Sequence, residues 1–407
     1  IELPGTDCYG QPLLEALQAG KLEMGVLDEA VCRVLRLKFR LGLFERPFVE
    51  EEIASQAFSR PEQVALARQA AQKSLVLLKN EGGLLPLKPD LRSIAVIGPN
   101  ADSLRAMVGD YSYASFADLM EGGEQPPETT RFPERYPGAM ITILEAIRQR
   151  IGPGTAVRYA QGCGFNDTSR EGFTEAVEIA RACDAAVLVM GGRSGLTAEC
   201  TSGELRDRAT LGLPGVQEEL VWAILETGKP VVLALVDGRP VAIPELAERV
   251  PAILEAWLPG QEGGPTVAAA LFGDVNPGGK LPVSFPRSSG QIPVFYGRKP
   301  SGGRSYMFND YVDLSAQPLF PFGHGLSYTP FEYGDLRINP AQAPSDGEVT
   351  IELTVKNVGE RFGEEVVQLY LHDELASLTR PVKELKGFCR VALNSGQACT
   401  VTFTLQI

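Results

Sequence analysis

The sequence predicts an α/β protein: a mostly parallel sheet covered by helices on both faces, preceded by a helical piece and followed by an antiparallel β-sandwich. Two observations carry this. Between about residues 61 and 330, short continuous apolar runs alternate with amphipathic helical patterns, as strands buried on both faces require. From about residue 331 the apolar period drops to two, the mark of half-buried antiparallel strands. At 407 residues, 44% hydrophobic and 22% charged, the chain is globular in composition and long enough for two or three domains.

Residues 1–60 read as helical. Leu27, Val31, Val34 and Leu35 fall at i, i+4, i+7, i+8, one apolar stripe, and Leu41-Gly42 is the stop signal. Sixty residues build little core of their own, so this stripe is expected to need a partner surface upstream. In residues 61–330 the strands are expected at Ile94–Gly98, Ala156–Ala160, Ala185–Met190, Val231–Val236 and Ile253–Trp257. Helices are expected near 139–151, 173–183, 214–228 and 264–272. Residues 273–330 carry many Gly and Pro and read as a long ordered connection. In residues 331–407, Val349, Ile351, Leu353 and Val355 alternate with polar positions, as do Val367, Leu369, Leu371 and then Val401, Phe403, Leu405. A complete sandwich takes roughly 100 residues, so this one is expected to be truncated. The opening Ile1-Glu2-Leu3-Pro4 has neither Met nor a signal-peptide pattern and reads as the interior of a longer protein. Localisation is therefore not legible.

Composition narrows the function. A net charge of −13 argues against nucleic-acid and anionic-membrane partners, and no apolar run reaches the length of a membrane span. The seven Cys include no CxxC spacing and His occurs only twice, at His324 and His372. That speaks against a disulfide framework and against a zinc site. Ile94–Ala101 lacks the GxGxxG spacing, Pro99 removes an amide that would cradle phosphate, and no Walker A pattern occurs, so no cofactor is expected.

Chemistry concentrates in Ser202-Gly-Glu-Leu-Arg-Asp-Arg208, at the end of a polar loop that runs from Gly191 to Arg208 after the apolar run Ala185–Met190. In open α/β sheets, sites collect at the carboxyl ends of strands. A Glu beside an Arg has an environment able to tune its proton affinity. Glu204 is the candidate general acid/base, with Glu199 its nearest competitor; a solvated charged loop is the bland alternative. Leu3-Pro-Gly-Thr-Asp7 offers either a helix cap or a site lining. Gly323-His324-Gly325 and Trp257–Gly264 read as packed turns.

Taken together, the motifs resemble glycoside hydrolase family 3. The matching runs are Leu75–Asn80, Gly203–Arg208, Leu213-Pro-Gly-Val-Gln217, Trp257-Leu-Pro-Gly-Gln-Glu-Gly-Gly264, Asn276–Phe285 and Phe320–Tyr328. Glu365–Tyr370 and Arg380–Phe388 are similar to the fibronectin III-like domain of such enzymes. The resemblance covers essentially the whole chain in order. It implies the end of a (β/α)8 barrel and linker in 1–60, an α/β sandwich domain in 61–330 and a fibronectin III-like domain in 331–407. It further implies a retaining exo-β-glycosidase of the glucosidase or xylosidase type, acting on a small oligosaccharide or glycoside. Glu204 would be the acid/base, with Asp207 and Arg208 in register; Leu205 replaces the more common Gly. The nucleophile would be an Asp on the missing barrel, so the isolated chain is expected to be inactive; a non-catalytic carbohydrate-binding fragment is the alternative. A pairing of Arg208 with Asp207 is expected to orient the loop, and His324 and Tyr328 to be structural. Sugar preference and oligomeric state stay open.

Overall fold

The computed structural model describes residues 9–50, 53, 60–120, 140–152, 154–300 and 310–406. The chain forms two compact units, Ile1–Arg60 and Pro61–Ile407. In the first, α1 (Gln11–Gln18) and α2 (Met24–Arg40) bury no residue. Helix α2 carries the predicted stripe and stops where the sequence signals it: Gly42 takes φ 68° and Leu43 N donates back to Lys38 O at 3.1 Å, a glycine-terminated helix end. The Leu3–Asp7 segment lies outside the described residues.

The second unit opens with α3 (Pro61–Ser74) and β1 (Val76–Asn80). The parallel strands follow: β2 (Ser93–Ile97), β3 (Ala156–Ala160), β4 (Ala185–Gly191), β5 (Val231–Val236) and β6 (Ala252–Glu255). Their order in the sheet is β1-β6-β5-β4-β2-β3. Only β1 runs antiparallel, against β6. The helices are α4 (Tyr113–Met120), α5 (Ile143–Arg150), α6 (Phe173–Arg181), α7 (Gln217–Leu225), α8 (Pro244–Arg249) and α9 (Gly263–Phe272).

The apolar runs make a three-layer core because successive strand residues point to opposite faces. Ala186, Leu188, Met190, Leu233 and Leu235 pack with Ala176, Ala180, Leu220 and Ile224 of α6 and α7. Val187, Val189, Val232 and Val236 pack on the other face with Ile143, Ile147, Val267 and Leu271 of α5 and α9. Every residue of β4 and β5 is buried, at roughly 1.5–3 kcal/mol for each large side chain. The five strands expected from sequence are all present, within two residues at their ends. Sequence reading missed β1, α3, α4 and α8.

β7 (Phe331–Asn339), β8 (Glu348–Asn357), β9 (Gly363–Leu371), β10 (Glu384–Leu393) and β11 (Ala398–Gln406) form a three-stranded sheet, β11-β8-β7, and a two-stranded sheet, β10-β9. Val355, Val367, Leu393 and Val401 are buried between them. This sandwich is tied to the α/β layer by Lys280 and Glu365, 3.0 Å apart with both side chains largely buried. Arg390 adds bonds from Nη1 to the Gly278 carbonyl at 3.2 Å and from Nη2 to the Lys73 carbonyl at 3.1 Å, and Gln368 donates to the Gly323 carbonyl.

Candidate active site

The strand order reverses between β2 and β4. The chain leaves β2 for β3 on one side, then returns to place β4 on the other. Loops that follow two such strands diverge and open a crevice at their carboxyl ends. Glycines bring the strand ends close. A Cβ on Gly98 would lie 2.1 Å from Val189 O, and one on Gly191 2.0 Å from Val236 O; both residues have positive φ, which favours Gly. Asn100, fully buried, donates from Nδ2 to the carbonyls of Gly192 and Val236. Gln217 grips the end of β4 twice: its Oε1 accepts from Gly191 N at 2.9 Å and its Nε2 donates to Gly191 O at 2.7 Å. The Leu213–Gln217 motif thereby fastens the root of the Gly191–Arg208 loop.

The loop is ordered by its own polar groups. Thr201 N donates to Arg193 O, Arg193 N to Thr201 Oγ1 and Gly195 N to Ser202 O. Arg206 ties back to the carbonyls of Ala198 and Cys200. The tip turns at Gly203–Arg206, where Leu205 stands 95% exposed at φ 61°. Non-glycine residues in that region are held there by their surroundings and cluster at functional sites.

Glu204 is exposed, but its position is fixed from across the crevice. Its backbone N–H donates to Asp110 Oδ2 at 2.7 Å, and the Tyr111 hydroxyl donates to Glu204 Oε2 at 2.9 Å. The same contact, with the Glu204 charge, pushes the Tyr111 phenol above its ordinary value. Glu199 instead faces Arg193, 3.4 Å away. Asp207 and Arg208 correct the sequence reading. Asp207 pairs with Arg239 at 2.7 Å, and from Arg208 it accepts the backbone N–H. The Arg208 guanidinium donates to the Gly212 carbonyl at 2.8 Å, where the chain bends at 209 and 212. Arg208 ties the end of the loop to the carbonyls of Gly212 and Leu213 rather than to the Asp207 carboxylate.

Two further carboxyls end β5 and β6. Asp237 is 2% exposed and Glu255 is fully buried. Burial pushes Asp237 up to about 6 against the pull of Arg239 and of the Gly238 amide. Burial likewise drives Glu255 well above the usual carboxylate range, although Trp257 N donates to it at 2.7 Å. Sequence reading missed both, as it missed Asp110 and Tyr111. His324 and Tyr328 are structural in their contacts: His324 Nε2 lies 2.9 Å from Leu78 O with its ring stacked on Phe320, and the Tyr328 hydroxyl donates to Ala270 O.

Residues 75–328 match the model of the glycosyl hydrolase family 3 C-terminal domain. The chain belongs to glycosyl hydrolase family 3. Residues 365–407 match the fibronectin type III-like domain. Among family relatives, a β-xylosidase of Formosa agariphila is 41% identical over 94% of this chain and 50% of its own length. A periplasmic β-glucosidase of Salmonella typhimurium is 37% identical over 98% and 53%. A β-glucosidase structure from Listeria innocua, solved with isofagomine, superposes with a TM-score of 0.81 at 35% identity, covering 97% of this chain and 52% of that one. The chain thus spans about half the length of the family 3 relatives it matches. Their α/β domain with mixed sheet and following β-sandwich is the architecture described above.

Proposed function

We propose that this chain is the acid/base-bearing portion of a retaining exo-β-glycosidase that removes terminal β-D-glucosyl or β-D-xylosyl residues from small oligosaccharides and glycosides. What supports the reading is Glu204: a carboxyl held by hydrogen bonds at the switch point of a family 3 chain, in the loop whose motif resembles that family's acid/base loop. The relatives' names supply the two sugars. The second carboxyl, the nucleophile, belongs on this reading to the upstream part of a (β/α)8 barrel domain whose last elements are residues 1–60. In the first step the nucleophile attacks the anomeric carbon while Glu204 gives its proton to the departing oxygen. In the second, Glu204 as carboxylate takes a proton from the water that releases the sugar. On this reading the Gly191–Arg208 loop closes the sugar-binding pocket.

The experiment compares this chain with one extended upstream, on aryl β-glucosides and β-xylosides. Turnover is expected only in the extended form; turnover by the short form refutes the assignment of the nucleophile. In the extended enzyme, Glu204→Ala is expected to lower kcat/KM by about 10²- to 10⁴-fold for poor leaving groups, less for activated aryl glycosides, with partial rescue by azide. Equal losses without rescue would assign the acid/base role to another residue, and no turnover by the extended form would favour a carbohydrate-binding scaffold.

A further inference from the structure

We propose that Asp110 and Tyr111, on the loop after β2, are positioning residues that hold Glu204 for proton transfer. The inference rests on the reading of Glu204 as acid/base. Three contacts cross the crevice between the β2 and β4 loops. Asp110 Oδ2 accepts the Glu204 backbone N–H at 2.7 Å, and Asp110 Oδ1 lies 3.5 Å from Ser194 Oγ at the near end of the same loop. The Tyr111 hydroxyl takes Glu204 Oε2 at 2.9 Å. One carboxylate therefore bridges both limbs of the acid/base loop, while the next residue along holds the acid itself. The glycine beside Glu204 makes the bridge sterically feasible: a Cβ on Gly203 would lie 3.2 Å from the Asp110 Cβ and 2.6 Å from Gly195 O.

The division of the Glu204 carboxyl follows. Oε2 is committed to the phenol, which leaves Oε1 to carry the proton toward the leaving oxygen. When that proton departs, a neutral hydrogen bond from Tyr111 becomes a charge-assisted one, which is stronger. The contact thus gains strength along the reaction coordinate, as a catalytic contribution must. An exposed acid on a loop otherwise samples rotamers, and small misplacements of a reacting group are costly.

Two measurements test this. In the chain itself, phenol carbons of labelled tyrosine are followed by NMR across alkaline pH, with Tyr111 assigned by its loss in Tyr111→Phe. Tyr111 is expected to ionise above an ordinary tyrosine, and Glu204→Gln to bring it down; no response to Glu204→Gln overturns the contact whatever Glu204 does. In the enzyme extended upstream, Tyr111→Phe is expected to lower kcat/KM about 3- to 10-fold for alkyl glycosides and to leave dinitrophenyl glycosides nearly unchanged. Asp110→Ala is expected to cost more, and Asp110→Asn, which keeps an acceptor for the Glu204 N–H, to recover most of the loss. Equal losses on both substrate kinds, or no recovery with Asn, overturn the positioning role. A silent Tyr111→Phe beside a leaving-group-dependent Glu204→Ala defeats this proposal alone; a Glu204→Ala without that dependence defeats the catalytic reading and this proposal with it.

Discussion

Glu204 and the pair Asp237 and Glu255 stand at the same edge of the parallel sheet, beyond the carboxyl ends of β4, β5 and β6, yet in opposite surroundings. Glu204 is exposed on a loop, accepts from the Tyr111 hydroxyl and donates its backbone N–H to the Asp110 carboxylate. Asp237 and Glu255 are buried, and Asp237 Oδ1 and Glu255 Oε2 find no hydrogen-bond partner among the described residues. A strongly perturbed carboxyl in a cleft is ordinarily a pointer to chemistry. Here the perturbation comes first from burial in both cases, and it marks groups that belong to the sheet's packing. On the proposed reading of Glu204, an acid whose pocket a second domain completes looks, in its own half, like a surface residue. On that reading, burial marks the packing carboxyls and exposure the reacting one.

The largest effect expected from breaking this comparison is at Glu255. Glu255→Ala removes the acceptor for Trp257 N and leaves a void at the end of β6. It should cost about 2–4 kcal/mol of stability in a chemical denaturation series. Glu255→Gln has the shape of the protonated acid and keeps an acceptor, so it should cost less than about 1 kcal/mol. Equal costs for the two would mean that an ionised Glu255 is being held, contrary to the packing role. On the other side, Glu204→Ala should leave the unfolding transition in place while the activity of the enzyme extended upstream falls.

Asp237 sharpens the same contrast through pH. Its folded value is raised to about 6 from a reference of 3.8. Below about pH 4 both folded and unfolded chains carry the proton. Between about 4 and 6 the folded chain keeps a proton that the unfolded chain has released, so stability falls as pH rises through that window, and the loss is complete above it. Two pH units at about 1.4 kcal/mol each bound the effect near 3 kcal/mol. Asp237→Asn should flatten the stability–pH curve by that amount over pH 4–6; an unchanged slope would mean that Asp237 is ionised in the fold.

How much of this was legible follows the range of each interaction. The β4 and β5 runs announce themselves because both faces are buried, and Glu204 stands out in the sequence because its neighbours form a local motif. Asp237-Gly238 read only as strand-end punctuation, since a lone acid after an apolar run is also what a turn requires. Asp110 and Tyr111 lie 94 and 93 residues from Glu204 in sequence, and only the strand order brings them across the crevice. Strand β1 ends in Lys79-Asn80 and runs at the sheet edge, and α3 buries Ala71 alone; neither leaves a strong period. In β7 no residue is buried, so alternation could not betray it.

The smallest effects are expected at the Arg239–Asp207 pair, and its two halves should not behave alike. The Asp207 side chain is 84% exposed, that of Arg239 only 19%. An ion pair open to water on one side is screened and contributes little. Asp207→Asn keeps an acceptor for Arg208 N and should leave both the unfolding midpoint and its pH dependence unaltered. Arg239 also faces inward, as the leading charge that draws Asp237 down against the burial that raises it. Arg239→Ala should therefore push the Asp237 window to higher pH, so that the stability lost on raising the pH is lost later than in the parent chain. Thermal unfolding of the two variants across pH 4–8 separates the outcomes. A matching shift in both would mean that the surface half of the pair governs Asp237, and the line drawn between exposed and buried acids at this edge would have to move.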